Sequence, residues 1–119
     1  MRVLRETSAL RLKVTLAGVD NLDHTNAMFC REEVVGALAP GGRLVFDFGT
    51  VQTIDSAGVG ALVAVLKAVR RCGGRMILIG VHPQVMSVLK TIRLTTVFEI
   101  QPDEAAALVS LESTPVTSR

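Results

Sequence analysis

The sequence predicts a single α/β domain with a mixed, largely parallel sheet of about four to five strands and about four helices. Three observations predict it. Apolar stretches of strand length alternate with stretches of helical period along the chain. Glycine and proline clusters punctuate the junctions between them. A chain of 119 residues has room for one core and little more. The domain is expected to span residues 1–112, and the polar tail 113–119, with Pro115, to be unstructured.

The segment Leu10–Leu16 alternates apolar and polar residues, the pattern of a strand with one face on the core. Gly18 follows, then a short second strand around Val19–Leu22, giving a strand pair at the start of the sheet. Asp23 or Thr25 is placed to accept hydrogen bonds from the first free amides of a helix running towards Leu38. On that helix Ala27, Cys30, Val34 and Leu38 form one stripe, while Arg31, Glu32 and Glu33 face away. Met28 and Phe29 fall off the stripe and are expected to be exposed. Pro40-Gly41-Gly42 ends the helix and opens a turn.

Leu44–Phe48 is apolar at almost every position, as in a strand buried on both faces. Val51–Ile54 leads from it to Asp55-Ser56, where a helical pattern begins: Leu62, Val65, Leu66 and Val69 recur on one face. Ala61, Ala64 and Ala68 permit close approach there. Arg70 and Arg71 favour the dipole of its last turn, and Gly73-Gly74 supplies a left-handed cap. Met76–Ile79 is another buried strand. Pro83 opens a helix with Val85, Val88, Leu89 and Ile92 on one face. Phe98–Ile100 is a short strand, and Pro102-Asp103-Glu104 starts a final helix through Ala105–Leu111.

Composition excludes several function classes. Hydrophobic residues make up 49% and charged residues 20%, as in a folded core. With 3% aromatics and no Trp or Tyr, the chain offers no stacking platform for bases. A formal charge of +2 is too small to call for a polyanion, so direct nucleic-acid binding is not expected. Cys30 and Cys72 fit neither a disulfide framework nor a zinc site, and two reduced thiols are expected. No signal peptide is expected, because Met1 to Glu6 is charged and no long apolar stretch follows. The longest apolar stretch, Ala57 to Leu66, falls well short of the ~20 residues of a membrane span. A cytoplasmic protein without membrane insertion is expected.

Chemistry concentrates in Ile54-Asp55-Ser56-Ala57-Gly58-Val59-Gly60. Gly58-x-Gly60 begins like a dinucleotide fingerprint, but Val63 holds its third glycine position and no acid follows the next strand. A nucleophile elbow needs glycine where Ile54 stands. His24 and His82 are the only histidines, and nothing in the sequence places either beside Ser56. No metal-ligand spacing occurs. A serine at a helix start can cap the backbone. The same place favours an added phosphate, because free amides and the dipole stabilise anions. Phosphorylation would add about −1.5 to −2 charges beside Asp55 and repel a partner packed there. From these features alone, cap and switch stand equal.

The ordered run of Asp47 at a strand end, Asp55 to Gly60, Gly73-Gly74, Met76–Ile79, Pro83 and Phe98-Glu99-Ile100 resembles the STAS domain of bacterial anti-sigma factor antagonists. Gly18 to Asp23 looks like that family's G-x-L-D turn, stretched by two residues. The resemblance covers roughly residues 10–111. It implies a STAS-like fold and a serine at Ser56 phosphorylated by a cognate anti-sigma kinase. It sets Asp23 in the first loop near that serine, with Asp55 shaping the site. The partner surface expected beside such a serine joins Asp23, His24, Thr25 and the off-stripe Met28 and Phe29 to Asp55, Ser56, Ala57, Gly58 and Val59.

In such systems the unphosphorylated antagonist binds the anti-sigma factor, a serine kinase, and releases the sigma factor. Phosphorylation reverses this, and a serine phosphatase resets it. ATP and Mg²⁺ belong to the kinase; the chain is expected to be no enzyme and to hold no cofactor or metal of its own. The alternative is a STAS subunit of a lipid-transport ABC complex that uses the same serine only in binding. Two residues depart from the pattern. Ala57 replaces a second serine, leaving Ser56 the only hydroxyl of the signature. Arg93 replaces a glycine before Leu94, a costly exchange if that position needs positive φ.

Overall fold

In the computed structural model, which describes residues 1–8 and 11–112, the strands are β1 (Arg2–Ser8), β2 (Arg11–Ala17), β3 (Asn21–Leu22), β4 (Arg43–Asp47), β5 (Thr53–Ile54), β6 (Arg75–Ile79) and β7 (Glu99–Gln101). The helices are α1 (Ala27–Gly36), α2 (Ser56–Arg71), α3 (Pro83–Thr91) and α4 (Glu104–Glu112). A five-stranded sheet has the order β1-β2-β4-β6-β7, antiparallel only at β1–β2. The tail 113–119 lies outside the described residues, as does Leu10.

Which strands alternate and which are continuously apolar follows from what covers them. Helices α1, α2 and α3 pack on one face through Cys30, Val34, Leu62, Val65, Val85 and Leu89. Beneath them lie Leu12, Val14, Leu16, Leu44, Phe46 and Leu78. Helix α4 lies on the other face over β4, β6 and β7, where Ala107 and Leu111 meet Val45, Ile77 and Ile79. Strands β4 and β6 are therefore buried on both faces, whereas the second face of β2 carries Arg11, Lys13 and Thr15, half-buried. Burial of each such aliphatic side chain contributes about 1.5–3 kcal/mol. Phe46 and Phe48 meet edge to face with centroids 4.9 Å apart.

The beginning of the chain differs from the sequence expectation. The strand pair that opens the sheet is β1–β2, not β2 with Val19–Leu22. Strand β1 is read poorly from sequence because it lies at the edge and buries almost nothing. Asn21–Leu22 instead pairs in parallel with Thr53–Ile54 in a separate two-stranded sheet. Ile92, assigned to the buried face of α3, lies past its end and is 45% exposed.

Candidate functional site

The small β3–β5 sheet is what assembles the site. Its register, Asn21 against Thr53 and Leu22 against Ile54, sets the loop after β3 beside the start of α2. The Asp55 amide donates to the Leu22 carbonyl at 3.2 Å, tying the two together. Gly58 is required by this closeness. A β-carbon there would stand 2.3 Å from the Leu22 carbonyl oxygen and 2.7 Å from Ile54 Cγ1. Asn21 adds a side-chain tie, accepting from the Thr53 hydroxyl.

Asp55, not Ser56, caps α2. Its carboxylate accepts from the Gly58 amide at 2.9 Å and from the His24 amide at 3.1 Å. These bonds, the Gly58 one foremost, hold its carboxyl below the usual carboxylate range. The His24 ring places Nδ1 3.6 Å from the same carboxylate. Ser56 takes the first helical position and is exposed. The cap role open to Ser56 from sequence thus falls to its neighbour, which already occupies the Gly58 amide. Negative charge added at Ser56 would meet the helix dipole and also Asp55.

The start of α1 differs from expectation too. Neither Asp23 nor Thr25 caps it; Asn26 holds the cap position and makes no side-chain cap bond. Asp23 turns to the loop itself, accepting from the Thr25 amide at 2.9 Å and from the Thr25 hydroxyl at 2.5 Å. The hydroxyl bond leads in keeping the Asp23 carboxyl below its ordinary range. Asn26, which sequence reading missed, closes the loop by accepting from the Asp23 amide and donating to the Asn21 carbonyl. Its residue type, common at helix starts, was the available signal.

A shallow groove runs between α1 and the start of α2, lined by His24, Met28, Arg31, Ala57 and Gly60. Met28 is 64% exposed and Phe29 47%, as their place off the buried stripe requires. Only Met28 of the two lines the groove. Phe29 stands one turn before Glu33, whose carboxylate lies 4.0 Å from Arg5 of β1. Val59 is half-buried on α2. Arg31, exposed as expected, joins the groove although its position off the stripe pointed to no role there. Cys30 packs in the core, its thiol pushed up to about 12 by burial, so it is an inert core residue. No cluster of His, Cys, Asp or Glu suited to a metal occurs among the described residues.

The STAS domain family model matches residues 4–107. The chain belongs to the STAS domain family. Solved structures with this STAS fold include an anti-sigma-factor antagonist (STAS) domain protein from Planctomyces limnophilus, 18% identical, TM-score 0.84, covering 93% of this chain and 98% of that one. An anti-sigma factor antagonist from Mycobacterium paratuberculosis is 20% identical with TM-score 0.79, covering 93% of each chain. The Bacillus cell fate determinant SpoIIAA in its phosphorylated form is 21% identical, TM-score 0.64, covering 91% of this chain and 98% of that one. At such identities the likeness is one of fold. No helix among the described residues is long and apolar enough to cross a membrane.

Proposed function

We propose that this STAS protein is an anti-sigma factor antagonist that works by partner switching. Unphosphorylated, it binds an anti-sigma factor that is a serine kinase; phosphorylation of Ser56 releases it, and a serine phosphatase restores binding. The observation that carries this reading is the division of labour at the start of α2. Asp55 caps the helix, which leaves the exposed Ser56 hydroxyl without that structural task. The partner surface is the loop Asp23, His24 and Thr25 with Met28 and Phe29 of α1, together with Asp55 to Val59. A phosphate at Ser56 would put about −1.5 to −2 charges against the Asp55 carboxylate. Because Asp55 already holds the Gly58 amide, that amide is not free to pair with the phosphate, and the added charge is presented to the partner.

The test is incubation of the pure protein with its cognate kinase and ATP, followed by intact mass and phosphopeptide mapping. A single phosphate on Ser56, absent from Ser56→Ala, is expected. Partner binding with no modification would instead favour a STAS subunit of a transport complex. Modification elsewhere would remove Ser56 from the switch.

A further inference from the structure

We infer that the outer edge of β1 is a self-pairing surface, on which a second copy of this chain adds its own β1 antiparallel, with Leu4 facing Leu4 across a two-fold axis. Strand β1 is seven residues long and, among the described residues, has β2 as its only neighbour in the sheet. Its outer row of amides and carbonyls is a template for another strand. Val3 packs towards the α1–α3 side, so Arg2, Leu4 and Glu6 point to the other face. On that face α4 packs against Val45, Ile77 and Ile79 of β4 and β6, and Leu4 is 44% exposed.

Charge selects the partner and the register. A two-fold axis perpendicular to the sheet keeps each residue on its own face, so one residue must lie opposite its own copy. With Leu4 at the axis, Arg2 faces Glu6 of the second copy and Glu6 faces its Arg2, while the two Leu4 side chains cover each other. Shifting the axis to Arg5 or Glu6 sets like charges directly opposite, which is destabilising. Shifting it to Val3 shortens the pairing and leaves Glu6 unmatched. Edge charges often serve to block pairing, but here they are placed so that a second copy answers them. Among the described residues neither Arg2 nor Glu6 closes an ion pair, although Glu6 stands opposite Lys13 and attracts it. Lys13 is held by Glu104 at 2.9 Å.

Sedimentation velocity of the full chain over a concentration series tests this. The wild type is expected to show a reversible monomer–dimer equilibrium. Arg2→Glu, which sets Glu against Glu, should raise the dissociation constant at least about tenfold, or 1.4 kcal/mol. The double variant Arg2→Glu, Glu6→Arg should return it to near the wild-type value, which a misfolded chain would not do. In a Cys72→Ser background, Leu4→Cys should form a disulfide-linked dimer under mild oxidation much faster than Arg5→Cys or Glu6→Cys. A wild type that stays monomeric throughout, a double swap that fails to restore the dimer, or faster cross-linking through position 5 would overturn the inference. It is independent of the phosphorylation of Ser56.

Discussion

Gly58 lies directly against the Leu22 carbonyl, with only 2.3 Å from that oxygen to where a β-carbon would stand. The contact joins the start of α2 to the end of β3 and so aligns the two loops of the site. Alanine is the better helix former by about 1 kcal/mol, but here the obstacle is backbone. The Leu22 carbonyl cannot withdraw without losing the Asp55 amide. Gly58→Ala is expected to destabilise the fold by about 1–3 kcal/mol in chemical denaturation, and to weaken partner binding by displacing Asp55 and Ser56. Gly60, two residues on, has nothing within 4 Å of the corresponding position. Gly60→Ala should therefore be neutral or stabilise by up to about 1 kcal/mol. Equal effects of the two substitutions would show that the Leu22 contact is not what makes Gly58 necessary.

Ser56→Asp separates charge from fold. A carboxylate at the first helical position gains about 0.3–1 kcal/mol from the dipole, offset by repulsion from Asp55 beside it. Thermal stability should stay near that of the wild type, while affinity for the kinase falls. Calorimetry that finds equal affinity for Ser56→Asp and wild type would count against the electrostatic switch.

Much of this was legible in the sequence, and the misses share a cause. Helix α2 and strands β4 and β6 declare themselves because their residues are buried, and burial is what periodicity records. Strand β1 buries little, so RVLRETS gave no comparable signal. Cap assignments went astray for another reason. Asp23, Thr25, Asn26, Asp55 and Ser56 are all good capping residues, and composition cannot rank neighbours of equal propensity. The choice was made by the β3–β5 pairing, which brings the His24 amide to Asp55. Such long-range contacts have no local sequence signature. The motif singled out this helix start; only the fold assigned the cap to Asp55 and left Ser56 exposed.

Met28 and Phe29 test the extent of the partner surface. Both are exposed apolar side chains, and neither belongs to the core stripe of α1. Met28→Ala and Phe29→Ala should each weaken partner binding by about 1 kcal/mol or more, with little loss of thermal stability. Met28 lines the groove beside Ala57, so its effect should be the larger. Normal binding by both variants would place the surface elsewhere, and unfolding of both would mean that they serve the fold.

Arg93 carries the one positive φ among the described non-glycine residues, at 63°. It follows the end of α3 and precedes the 3₁₀ turn Leu94–Thr96, a place where a left-handed residue lets the chain reverse. Its amide donates to the Lys90 carbonyl and its carbonyl accepts from the Thr96 hydroxyl, at 3.0 and 3.1 Å. The backbone is thus held in this conformation from both sides although the side chain disfavours it. A β-carbon in the left-handed region costs about 1–2 kcal/mol, of which glycine's greater unfolded-state freedom returns a part. Arg93→Gly should therefore stabilise the protein by about 1 kcal/mol, or roughly 4 °C in Tm for a domain of this size. Arg93→Ala keeps the β-carbon and should not. If Ala and Gly stabilise equally, the guanidinium rather than the backbone is the source of strain. A loss of stability in Arg93→Gly would mean that the exposed arginine makes a favourable contribution larger than the strain it carries.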